Sequence, residues 1–203
     1  MTVETAYVEL VSVIQWIDGR FNALNIADDD RSRMAAGCFD MVLEYQASVA
    51  LQVQHQMKGT ALSILRLQAE AFLRGMWFAR CATDADAVRF RETDFAKRLP
   101  DLVDDIEVAL GGATDTLSKM VKSQWGPLSG FTHTGFKQIA CRYKGNVLMP
   151  NYPDAEVIQG LNFAAAIGLL AAVEFSTLSN NEPLAQATLE HAKKFGPDGA
   201  VKT

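Results

Sequence analysis

Residues 61–79 read ALSILRLQAEAFLRGMWFA, and the fold class turns on how few of these positions suit open water. At 100° per residue, Ser63, Arg66, Glu70, Arg74, Trp77 and Cys81 fall on one narrow helical stripe. Leu62, Ala69 and Leu73 flank it on one shoulder, Leu67 and Phe78 on the other. The opposite face carries Ala61, Ala71, Gly75 and Ala79, small residues that let another helix approach closely. A helix apolar nearly all round is buried by its neighbours, so other helices must surround this one.

The rest of the chain supplies them. Val3, Tyr7, Leu10, Val11, Ile14, Ile17, Phe21 and Leu24 keep amphipathic helical spacing. The run NIADDD breaks that pattern, and an Asp there can cap a second helix over about 31–57. Lys58-Gly59-Thr60 marks a turn before the third helix, which runs to about Ala82. Thr83 and Asp84 cap a short helix through Phe95. Leu99-Pro100-Asp101 opens another, because Pro fits a first helical turn. Gly111-Gly112 ends it, and Thr114 starts a helix that stops at Trp125-Gly126-Pro127.

The stretch IACRY-KGN-VLMP suits a small β-hairpin, with Gly145-Asn146 supplying the positive φ of a tight turn. Two strands alone are marginal, so the hairpin is expected to lie on the bundle. After Pro153 an Ala-rich helix runs to about Leu178, and a last amphipathic helix covers 182–195 before a short tail from about 196. The expectation is an all-α fold: one bundle of about six to eight helices over residues 1–203, with a small β-hairpin near 138–150.

Bulk chemistry narrows the function classes. A formal charge of −5 on 203 residues argues against whole-surface attraction to nucleic acid or anionic membrane, although charge can be segregated locally. Cys38, Cys81 and Cys141 are far apart and odd in number, which indicates neither a disulfide framework nor a zinc knuckle. The acidic start MTVETAYVEL differs from a secretory leader, so a reducing cytoplasm is expected. Residues 157–175 are apolar over about a bilayer's span. Gln159, Asn162 and Glu174 interrupt them and no basic cluster flanks them, so a buried central helix is expected rather than a membrane partner.

The charged stripe is the first candidate site. Glu70 is four residues from both Arg66 and Arg74, so either guanidinium can reach it. Two arginines around one carboxylate leave excess positive charge, which suits phosphate or carboxylate. A purely structural Arg–Glu–Arg network is the alternative. His55 and His191 read as solvated surface positions, whereas His133 lies among Ser129, Thr132 and Thr134 between two glycines. Such a histidine can shuttle a proton or be satisfied by neighbouring hydroxyls. Phosphate-loop, dinucleotide, zinc-protease, nucleophile-elbow and Glu-x-x-His signatures are absent, so no metal or cofactor is expected.

The segment ALSILRLQAEAFLRGMWFA, followed some fifty residues later by SGFTHTG, resembles uncharacterised bacterial all-α families similar to abortive-infection and HEPN-like helical proteins. The resemblance covers roughly residues 30–180 and rests on L-R-x-x-x-E-x-x-x-R and a Ser/Gly-flanked histidine. It implies metal-independent RNA cleavage at a dimer interface, with Arg and His on one helix. That motif places Arg five to seven residues before His, where this chain has Gly126, Pro127 and Leu128. An Arg–His pair would therefore be assembled across the fold, from Arg66, Arg74 or Arg142 with His133.

The resulting expectation is a stress- or phage-defence-related helical protein with a polar pocket for an anionic ligand. Arg66, Glu70, Arg74, Trp77 and Arg142 would bind the ligand, and His133 would be catalytic if catalysis occurs. The expected partners are an anionic small molecule or RNA, and a second copy of the chain through the Ala/Gly-rich helix. The alternatives are a non-catalytic interaction or immunity module and a divergent HEPN-like ribonuclease.

Overall fold

A computed structural model describes residues 1–93, 97–112 and 115–193. The fold is all-α, with a small antiparallel hairpin. Helices α1 (Val3–Asp18), α2 (Asp30–Gln54) and α3 (Lys58–Arg80) come first. They are followed by α4 (Asp84–Thr93), α5 (Leu99–Ala109), α6 (Thr116–Thr132) and the short α7 (Phe136–Ala140). Strands β1 (Tyr143–Lys144) and β2 (Val147–Leu148) precede α8 (Asp154–Leu178) and α9 (Glu182–Lys193). Nine helices among the described residues exceed the expected six to eight, α7 being a single extra turn. Phe95, Thr114 and the tail from 196, on which sequence expectations fell, lie outside the described residues, as do 194 and 195.

Local chemistry fixes several helix starts. Thr2 caps α1 through Thr5 N–H, and Asp29 caps α2 through Ser32 N–H at 2.8 Å. At α4, Thr83 and Asp86 satisfy each other's backbone N–H groups, a reciprocal capping arrangement. Each cap satisfies a donor that the helix itself leaves unpaired.

Helices α2, α3 and α8 form the centre. On α3, Ala61, Leu62, Leu65, Ala69, Phe72, Leu73, Met76 and Phe78 are buried, as the all-round apolar sequence requires. Gly75 lies so close to α2 that an added Cβ would stand 2.7 Å from the Phe39 ring. One apolar cluster joins α1, α2, α3 and α8, a second joins α2, α3, α5 and α8, and Phe163 touches both. Between them lie two fully buried amides: Gln46 and Gln68 both donate to Ala164 C=O, at 3.2 and 3.1 Å.

Helix α8 is the one described helix long and apolar enough to cross a membrane, and half of its most apolar window is buried inside the bundle. Its small residues Gly160, Ala164, Ala165, Gly168, Ala171 and Ala172 are themselves buried within the chain. These six residues pack within the chain, while Asn162, Ala166 and Leu170 of the same helix stay exposed.

Two local expectations are corrected. Helix α6 does not stop at Trp125-Gly126-Pro127 but runs through Pro127 to Thr132. Burial of Leu128 and Phe131, with Ser129 and Thr132 hydroxyls bonding to Trp125 and Leu128 carbonyls, holds the turn past the proline. The hairpin forms with Tyr143 opposite Leu148, but all four strand residues are exposed, so it does not lie on the bundle. Of its turn pair, only Gly145 takes positive φ, at 60°.

Candidate functional site

Arg66 is the hub of a junction between α3 and the C-terminal half of α6. Its Nε donates to Glu70 Oε1 at 2.8 Å. Nη1 donates to Ser129 Oγ at 2.8 Å and stands 2.8 Å from His133 Nε2. Its guanidinium also lies over the Trp125 ring, 4.9 Å from the centroid. The Arg66 and Glu70 side chains keep 20% and 33% of their exposure, and His133 is exposed. The junction is therefore partly open to solvent.

Because a guanidinium only donates, His133 Nε2 must accept, which places the ring proton on Nδ1. Three of the five guanidinium N–H groups are thus engaged. Nη2 has no hydrogen-bond partner among the described residues and is not fully buried.

A second set of bonds fastens the same two helices. Ser63 Oγ lies 2.8 Å from Gly59 C=O and 2.9 Å from Phe131 C=O, while Thr132 Oγ1 donates to Ser63 C=O. Gln138 Nε2 donates to Ser63 Oγ at 3.1 Å. Helix α6 then ends abruptly: Thr134 takes φ 55°, and Gly135 N–H returns to Gly130 C=O at 2.7 Å. A Cβ on Gly135 would stand 2.9 Å from Gly130. The two glycines flanking His133 therefore serve helix closure, a 6→1 return with a left-handed residue. A β-branched residue in that region is strained by about 1–2 kcal/mol, and the strain adjoins His133.

The structure brings together Arg66, Glu70 and His133, and separates the other expected site residues from them. Arg74 does not join Glu70. Its guanidinium lies over Phe90 of α4, 5.7 Å from the ring centroid. In an isolated helix the order Glu70 then Arg74 is the favoured one. Here Ser129 and His133 hold Arg66 in place, so Glu70 turns back to it. Trp77 is buried and donates from Nε1 to Asp105 Oδ2 at 2.7 Å, with Lys97 also contacting Asp105. It braces α3 against α5 and lines no ligand site with Arg66. Arg142 precedes the hairpin and lies over Tyr152 at 5.9 Å.

Trp125 and Ser129 were missed as partners of Arg66. They stand at i and i+4 on α6 with His133 at i+8, a spacing that becomes visible only once the helix continues through Pro127. His191 is also corrected: it is stacked on Trp16 with centroids 4.3 Å apart, fastening α9 to α1.

A cleft of about 50 Å³ opens elsewhere between α3, α6 and α8, lined by Leu62, Leu65, Leu128, Phe131 and Phe163 with the Lys137–Glu156 ion pair. Arg66, Glu70 and His133 do not line it. The three thiols are free. Burial pushes Cys38 up to about 11 despite the nearby Arg74, and burial also raises Cys81 and Cys141. Such thiols are poor nucleophiles and metal ligands. Among the described residues no three His, Cys, Asp or Glu side chains are gathered as a metal site would require.

No curated protein matches the chain, and no solved structure does. Residues 39–198, which include every member of the Arg66 junction, match DUF6988, a family of unknown function, and the chain belongs to that family.

Proposed function

We propose that the Arg66–His133 junction binds an anionic group, phosphate or carboxylate, and that the protein acts there as a binding module. The observation that carries this reading is the unpartnered Nη2 amino group of a guanidinium held in place by Glu70, Ser129, His133 and the Trp125 face. Preorganisation matters, because an arginine already fixed loses little side-chain freedom when it takes an oxyanion. The same bonds fasten α6 to α3, so the network is structural as well. One guanidinium nitrogen at a partly exposed site, with Glu70 already balancing its charge, supports affinity no tighter than about 1 mM for a simple anion.

The test is calorimetric and spectroscopic titration with inorganic phosphate. The reading predicts saturable binding that is lost in Arg66→Gln and retained in Arg80→Gln. Equal weak binding by both variants, or none by the native chain, refutes it.

A ribonuclease reading has one observation in its favour, the contact of an arginine with a histidine across two helices. In that mechanism His133 would be the general acid/base and Arg66 would stabilise charge developing on phosphate. Its difficulty is that Arg66 holds the lone pair of His133 Nε2, so the histidine would have to be released before accepting a proton. Metal-independent cleavage of RNA, abolished by His133→Ala, would favour this version over simple binding.

A further inference from the structure

The chain's basic residues are partly segregated: Lys119 pairs with Asp115 and Lys137 with Glu156, while Arg142 and Lys144 make no ion pair among the described residues. Residues 116–153 contain Lys119, Lys122, Lys137, Arg142 and Lys144 and not one Asp or Glu. The remainder therefore holds fourteen Lys and Arg against all twenty-four acids. The end of this acid-free stretch, α7 and the hairpin, has no buried residue. Buried Cys141 and Tyr152, the Gln138–Ser63 hydrogen bond and the Lys137–Glu156 ion pair hold it to the bundle.

Along these elements Phe136 is 86% exposed, Leu148 72% and Val147 61%, with Ile139, Tyr143 and Met149 also open. Isolated exposed apolar side chains need no explanation, but six within fourteen residues do. Lys144 lies in the hairpin and makes no ion pair among the described residues. A two-stranded hairpin unsupported by a core is marginal in water, so a surface that covers it would also stabilise it.

We propose that α7 and the β1–β2 hairpin dock the protein onto an anionic lipid bilayer. The aliphatic and aromatic side chains would enter the interface while Lys144 and Arg142 meet acidic headgroups. Apolar burial combined with cationic attraction is the pairing that reversible membrane association requires. Single-stranded nucleic acid could stack on Phe136 and Tyr143, but Ile139, Val147, Leu148 and Met149 are aliphatic or thioether side chains that offer a base no face, whereas a bilayer would bury all six. This surface is independent of anion binding at Arg66.

The experiment is co-sedimentation of the full chain with vesicles of phosphatidylcholine, with and without phosphatidylserine at about a one-third share. Binding should be roughly tenfold stronger on the anionic vesicles and should weaken as salt is raised. Lys144→Glu and the double variant Val147→Ser/Leu148→Ser should each reduce it about tenfold. Because these side chains are exposed, circular dichroism and melting should stay native. Absence of vesicle binding, or equal binding to neutral vesicles, overturns the proposal. So does loss of single-stranded RNA binding, or of self-association by light scattering, as the sole effect of the same variants.

Discussion

Arg66 Nη1 stands 2.8 Å from His133 Nε2, although 67 positions separate the two residues in sequence. The contact joins the middle of the central helix α3 to the cap of α6. The first consequence concerns stability. Arg66→Met removes bonds to Glu70, Ser129 and His133 together and leaves a half-buried carboxylate without its cation. Partial exposure moderates the loss, which should be about 1–3 kcal/mol. Chemical denaturation measures it, and Ser129→Ala should cost less than half as much.

Close packing of α2 on α3 makes Gly75 a sensitive position. A Cβ there would stand 2.7 Å from a Phe39 ring that is fully buried. Gly75→Ala should destabilise by about 1–3 kcal/mol through overpacking, despite alanine's better helix propensity. A higher melting temperature for this variant would contradict the packing account.

Thiol reactivity follows from burial. With the Cys38 thiol pushed up to about 11, its thiolate fraction at pH 8 is on the order of a hundredfold below that of a thiol at the ordinary 9.0. Peptide mapping after timed alkylation should find Cys38 modified more slowly than Cys81, which is likewise only partly exposed. Modification of Cys38 ahead of Cys81 would contradict this.

Asp105 links α5 to α3 and gives a pH signature. The Lys97 ammonium beside it, and then the Trp77 N–H, hold its carboxyl below the ordinary 3.8 despite partial burial. A depressed native pKa means stability present above the unfolded value and lost as pH falls through the native one. Asp105→Asn should therefore melt below the native protein by a constant margin from pH 7 to about 5, and the margin should shrink below about pH 4. A margin that grows on acidification would contradict the assignment.

How much of this was legible in the sequence depended on whether local pattern or tertiary contact decided the outcome. The all-round apolarity of residues 61–79 and the Asp29 cap are local, and both appear as read. Pro127 was misread as a stop because its neighbours' burial and Arg66's grip on Ser129 are invisible along the chain. Arg74 was grouped with Glu70 by spacing, yet Phe90 on another helix lies beneath its guanidinium. The hairpin was found at the right residues, while its separation from the bundle could not be read from alternation alone.

The central claim is that an anion is taken at the unpartnered Nη2 of Arg66. Nitrogen-15 spectra of the His133 ring, recorded while inorganic phosphate is added, test it most directly. Before addition, the proton should reside on Nδ1 with Nε2 unprotonated, as acceptance from Arg66 requires. Phosphate should shift the His133 ring signals saturably at about 1 mM and leave His55 unmoved. An Nε2-protonated His133 in the free protein, or ring signals indifferent to phosphate, would contradict the account.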